Sequence, residues 1–216
     1  MIRTLTALMA ILLSLATMAA TAEEESGWEL ARDRDGIQVY TRRVEGSKFK
    51  AVRATMVIDA TARSAVALIM DTTQCQRWAA LCKESYAHEV VSDNEAYIYT
   101  YNDVPWPVKD RDALTHVIWS VDENTGVVSM KATATTGRLP ETKAVRITYA
   151  KTSWVFTPTE DGRLDIVSEA HVDPSGPTPA WLTNLLLVDS PFDTLKNLRE
   201  LLATGEFDDV PVAFLP

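Results

Sequence analysis

Cys75 and Cys82 are the two cysteines of the 216-residue chain, so a thiol pair is the first chemistry to consider. No histidine or second cysteine pair stands within the usual ligand spacing of them, which speaks against a metal site. The histidines, His88, His116 and His171, are dispersed, and each reads as a hydrogen-bonded strand residue in preference to a catalyst. Asp110 and Asp112 share a strand face and look like a carboxylate pair, but Lys109 and Arg111 beside them favour structural ion pairs. Ser175 and Ser190 lack a recognisable base partner, and no nucleophile elbow, phosphate loop, dinucleotide fingerprint or zinc-protease motif occurs. The sequence therefore predicts no catalytic residue, no metal and no cofactor.

What it offers instead is apolar surface, including Trp28, Trp78, Trp106, Trp119, Trp154 and Trp181. An antiparallel sheet that curls around a helix either fills the gap with such side chains or leaves a cavity for a ligand. Periodicity alone does not choose between the two.

The elements that must position these groups follow an expected export signal over residues 1–22. Arg3 supplies a positive start, Leu5 to Leu15 an apolar run, and Ala20-Thr21-Ala22 a small-x-small cleavage pattern before Glu23. Cleavage predicts a soluble periplasmic or secreted protein, a compartment where a Cys75–Cys82 disulfide persists. In one continuous helix those two Cα atoms would stand ~10.5 Å apart, beyond the ~7 Å a disulfide tolerates, so a bridge requires the chain to turn. The remaining 194 residues suit one domain, taken as 23–205 with a loosely attached tail over 206–216. Loss of Arg3 moves the formal net charge from -9 to -10, which argues against nucleic acid and against docking on anionic lipid.

Along the mature chain, Trp28–Arg32 and Ile37–Arg42 read as a hairpin turning at Asp35-Gly36, and Phe49–Ile58 as a third strand. Thr61 caps a helix that ends near Asp71. Strands are then predicted over Tyr86–Val91, Ala96–Tyr101, Asp110–Val121, Val127–Thr133, Val145–Phe156 and Arg163–Val172, joined by short turns in an antiparallel arrangement. Two prolines and a glycine interrupt regular structure between Asp173 and Pro177. Thr178 and Pro179 then open a long leucine-spaced helix that Pro191 should kink or split.

The order of these elements, with Asp35-Gly36-Ile37, Asp71 with Trp78, Trp106-Pro107 through Arg111-Asp112, Val145-Arg146-Ile147, Trp154-Val155-Phe156 and Asp173-Pro174 through Arg199, resembles the START family of lipid-binding domains. That resemblance implies an α+β helix-grip fold: a curved antiparallel sheet wrapped around the C-terminal helix, with a shorter helix after the third strand. It further implies non-catalytic binding and transfer of a lipid or sterol-like molecule in a tunnel closed by that helix, whose hinge is Pro174–Pro179. Because strand neighbours face opposite sides, only one of Arg111 and Asp112 can face the tunnel, and the resemblance favours Arg111, continued by Ala113, Thr115, Val117 and Trp119. Ile98 and Thr100 are expected from the preceding strand, against a plain reading that would turn Tyr97, Tyr99 and Tyr101 inward. Trp106, Arg146, Leu187, Thr194 and Leu198 complete the implied ligand set. An acid–arginine pair found in cholesterol-carrying members corresponds here to Ile98 and Val117, so the tunnel should be more apolar. The implied partners are a hydrophobic small molecule and transient membrane contact, with the protein a monomer. Two alternatives stay open: a polyketide cyclase or aromatase-like enzyme using the same cavity, and a module whose cavity is filled by its own side chains.

Overall fold

Asp35 and Gly36 both take positive φ, 55° and 73°, and so form the two-residue turn that matches strand twist between β1 (Glu29–Arg34) and β2 (Ile37–Arg42). The computed structural model describes residues 27–176 and 179–215, so the expected export signal and the Thr178 cap lie outside the described residues. After β3 (Ala51–Ile58), Thr61 caps α1 (Ala62–Met70) reciprocally. Its hydroxyl accepts from the Ser64 backbone N–H at 3.0 Å, and Ser64 Oγ accepts from the Thr61 N–H at 3.3 Å. Such a cap is worth about 1 kcal/mol.

Cys75 and Cys82 are disulfide-bonded with Cα atoms 5.8 Å apart. They come this close because α2 (Cys75–Trp78) stops and the chain turns at Leu81, φ 70°, before entering β4 (Cys82–Ser92). There follow β5 (Glu95–Asn102), β6 (Arg111–Val121), β7 (Val128–Thr135), the two-residue β8 (Val145–Arg146), β9 (Tyr149–Pro158) and β10 (Leu164–Asp173). The single strand expected over Val145–Phe156 is thus two: β8 pairs with β6 in parallel, and Ile147 N–H still bonds Asp112 O at 2.8 Å before the chain leaves for β9.

The sheet runs β1-β2-β3-β10-β9-β7-β6-β5-β4, antiparallel along this path. Directly opposed residues share a face. Val39, Ala54, Ser168, Trp154, Met130 and Trp119 therefore form one inward row across six strands. Thr41, Val52, Ala170, Thr152, Ala132 and Val117 form the next.

Against this concave face lies the C-terminal helix, made of α3 (Ala180–Asn184), a wider π-helical turn (Leu185–Asp189) and α4 (Ser190–Leu202). Pro191 does not split it. Proline has no N–H to donate, and the turn preceding it widens, with Ser190 N–H bonding Leu185 O. Phe192, Leu195 and Leu198 of α4 are buried against Ile37, Val39, Met56, Phe156 and Ile166. The fold is the α+β helix-grip arrangement, with α1 as the shorter helix. The tail is not loose: Phe207 and Val212 are buried, and the Phe214 ring lies 6.2 Å from that of Trp119. Aromatic and β-branched burial outweighs the lack of regular structure there.

Candidate functional site

Between the helix and the second inward row lies a cavity of about 300 Å³. Its sheet wall combines small side chains, Val52, Ala170 and Thr152 from the second row with Ala54 and Ser168 from the first, with the Trp154 ring beside them. Its roof is Leu182, Leu186, Leu187, Pro191 and Thr194, so the widened helical turn sits over the space. Ala80 and Leu81 of the disulfide-closed turn, Val104 of the β5–β6 loop, Ile147 and Pro174 close the sides. Thr194 Oγ1 also accepts from Ala80 N–H at 3.1 Å, tying roof to side. An apolar lining with a few polar groups is the composition of a small-molecule site.

Three of the residues expected in the site, Arg111, Leu187 and Thr194, line this cavity. Ile98, Thr100, Ala113, Thr115 and Val117 lie on the same sheet face as Arg111, through the pairs Asn102↔Arg111, Thr100↔Ala113 and Ile98↔Thr115, but outside the lining. The tyrosines of β5 take the other face, where Tyr97 stacks on His116 at 4.6 Å and Tyr99 bonds Asp112 at 3.2 Å. Trp119 and Leu198 are buried in the packed core. Trp106 is 91% exposed. Arg146 lies on the opposite side of the sheet, because its partner Asp112 is the strand neighbour of Arg111. Asn102, Thr152, Ser168, Ala170 and Leu186 line the cavity without having been expected there. The signal for two of them was present: Ser168 and Ala170 put small side chains at alternate positions of β10, on the face toward the helix.

The adjacent pair Arg111 and Asp112 shows two electrostatic situations. Asp112 is fully buried and receives Arg146 Nε at 2.7 Å, Arg146 Nη2 at 2.9 Å and the Thr142 hydroxyl at 2.8 Å. Burial alone would raise its carboxyl, but these bonds outweigh it and hold it below the ordinary carboxylate range. Its ion pair is with Arg146, not with the flanking Arg111 or Lys109. Tyr99 is pushed well up, first by burial and then by Asp112. Tyr101 is raised to about 12 by its bond to Asp110, 2.6 Å away.

Arg111, 4% exposed, donates from Nε to Pro174 O and from Nη2 to Ser175 O, both at 3.2 Å, and from Nη1 to Lys109 O. Burial lowers its pKa, partly opposed by the charge of Asp110. The histidines stand apart from the cavity lining: His116 faces Glu95 at 2.7 Å, and His171 lies between Tyr149 and Ser47. The arrangement can enclose an apolar molecule, and among the described residues the lining carries no histidine, cysteine or carboxylate to act as a general base.

The chain is 34% identical over 176 residues to an uncharacterised protein of Pseudomonas aeruginosa, covering 80% of this chain and 85% of that one. It is 25% identical over 165 residues to human START domain-containing protein 10, spanning 75% of this chain and 56% of that protein. Among solved structures, the STAR-related lipid transfer protein of Xanthomonas axonopodis (fragment 25–204) superposes with a TM-score of 0.75 at 35% identity, covering 82% of this chain and 99% of that one. Human StAR-related lipid transfer protein 5 superposes equally well, TM-score 0.75, at 18% identity, over 91% of this chain and 98% of that one, a likeness of fold. A sequence model of the START domain matches residues 12–204, beginning inside the segment that reads as an export signal. The cavity under the helix, the order of the sheet and these matches together lead to one conclusion: the chain belongs to the START domain family.

Proposed function

We propose that this protein binds one hydrophobic molecule, a lipid or sterol-like compound, in the cavity beneath its C-terminal helix and carries it through an aqueous compartment without chemical change. The supporting observation is the cavity itself: an apolar space of about 300 Å³ roofed by a helix and walled by small side chains beside the Trp154 ring. Burying about 300 Å² of ligand apolar surface is worth ~7 kcal/mol before the costs of association, so sequestration needs no reacting group. Family membership and the likeness to a STAR-related lipid transfer protein support the same reading.

The proposed setting is the periplasm or the exterior, with residues 1–22 removed as an export signal, which agrees with a disulfide between the two cysteines. Delivery involves transient contact of a monomer with a membrane. Trp106 stands two residues from Val104 and Trp181 next to Leu182, both lining residues, and these tryptophans are 91% and 44% exposed. Exposed indoles suit the boundary between headgroups and acyl chains.

Native mass spectrometry of protein purified from its own compartment, followed by organic extraction of what it releases, tests the proposal. A co-purifying lipid is the expected result. Empty protein with no affinity for any lipid or sterol overturns it. Replacing Trp106 and Trp181 together by Ala should reduce co-flotation with neutral phosphatidylcholine vesicles, and undiminished flotation removes the membrane-contact part.

A further inference from the structure

Two charged side chains line the cavity, Lys50 and Arg111, and both are cations in a chain whose formal net charge is -9. Lys50 is compensated: its Nζ meets Glu29 Oε2 at 3.0 Å and Thr41 Oγ1 at 3.3 Å. Arg111 is not. It is the deepest cation among the described residues, and its three bonds go to backbone carbonyls, with no carboxylate within ion-pair distance among the described residues. The nearest acid in sequence, Asp110, is occupied by the Tyr101 hydroxyl at 2.6 Å and the Val104 N–H at 3.0 Å.

Arg146, on the other face of the same sheet, shows the compensated alternative, since it meets Asp112 through two nitrogens. A buried charge is normally paired, because removing it from water is costly unless an opposite charge replaces the lost hydration. A guanidinium carries five donors, and the three hydrogen bonds that Arg111 donates leave, among the described residues, two N–H groups for a ligand. Directly opposite on β5, Asn102 also lines the cavity, and among the described residues its side-chain amide has no hydrogen-bond partner. The two residues thus place unspent donors side by side at one wall of a space that is otherwise apolar.

We propose that the cavity selects a single-chain amphiphile with an anionic oxygen head, a carboxylate or a phosphate monoester, seated on Arg111 and Asn102 with its chain beneath Leu186 and Leu187. The inference rests on the lipid-binding reading above and adds the charge and size of the ligand. A volume of about 300 Å³ lies at the bottom of the ~300–1,000 Å³ range of ligand pockets, which favours one chain over two. A guanidinium also matches the planar pair of oxygens of a carboxylate or phosphate.

The test is equilibrium dialysis of delipidated protein with radiolabelled dodecanoate, dodecyl phosphate and dodecanol, three ligands with one chain and different heads. At least one anion should bind about tenfold or more tighter than the alcohol, the scale of one hydrogen bond to a charged group. The anion that shows the advantage identifies the head. Whatever the change in dodecanol affinity itself, Arg111→Gln should bring the anion-to-alcohol affinity ratio to within about twofold of one and so abolish that advantage. Asn102→Leu should reduce it in part, and this variant serves if Arg111→Gln does not fold. Dodecanol binding as tightly as both anions overturns the anionic head while leaving lipid binding in place, and so does an anion preference that survives in Arg111→Gln. Failure of all three ligands to bind overturns the single-chain inference, while the lipid-binding reading is decided separately by the extraction of bound lipid.

Discussion

The same concave face is solid at one end and hollow at the other, and the difference lies in where the large side chains stop. In the first inward row Trp154 and Trp119 stand two strands apart, and Phe156 stacks between them at 5.9 Å and 6.2 Å. Trp78 meets Trp154 edge-on at 6.1 Å, and Phe214 of the tail closes on Trp119. In the next row the corresponding positions are Val52, Ala170, Thr152, Ala132 and Val117, with no ring among them. The helix crosses both ends, and the space opens where the small residues face it, bordered by the Trp154 ring. Close packing is the default of protein interiors, and an apolar void this large at one end is therefore a feature to be explained by a ligand.

Four variants can break or sharpen this contrast, in order of expected effect. Phe156→Ala, at the solid end, should lower stability by about 3–5 kcal/mol in urea unfolding. A loss under about 1 kcal/mol would show that the solid end is not close-packed. Replacing both Cys75 and Cys82 by Ser opens a short loop and should cost about 2.5 kcal/mol. Because Ala80 and Leu81 wall the hollow end, ligand affinity should fall as well, and loss of stability with affinity intact would separate the clamp from the cavity.

Asp112→Asn should cost about 2 kcal/mol at neutral pH, the worth of hydrogen bonds to a charged group. It should also change the response to acid. The folded carboxyl lies below its unfolded value of about 3.9, so the Asp112–Arg146 contribution is complete above that pH. It is lost as pH falls through about 3.9 and then through the lower folded value. The variant should therefore show a flatter stability curve over that interval, and an unchanged curve would remove the ion pair from the account. Ala170→Phe extends the aromatic floor into the hollow end. It should cost about 1 kcal/mol or less, at the low end for overpacking because the space exists, yet abolish ligand uptake. Full ligand uptake by this variant would place the site elsewhere.

Local features of the fold were legible in the residues. The Asp35-Gly36 turn, the Thr61 cap and the end of α1 near Asp71 follow from turn and capping chemistry acting within a few residues. Less was legible where distant segments meet. The break between β8 and β9 is invisible in an alternating run, because it depends on β6 offering its edge to Val145 and Arg146. The burial of Phe207, Val212 and Phe214 has no periodicity to announce it. Among the expected site residues, alternation divided β5 and β6 into two faces but the family resemblance was needed to say which one faces inward, and neither gave the distance along that face at which the cavity begins.

By itself, then, the sequence determined the α+β class, the succession of strands and the turn between the cysteines that a bridge demands. All of these follow from periods of two or about 3.6 residues and from single-residue backbone preferences. Only the tertiary structure decided which end of the concave face is hollow, that Arg146 compensates Asp112 and not a ligand, and that Arg111 meets carbonyls alone among the described residues. The physical reason is that volume and charge compensation are sums over side chains from β3, β9, β10 and the helix. Those side chains lie up to more than a hundred residues apart in the chain and become neighbours only when the register of the sheet is set.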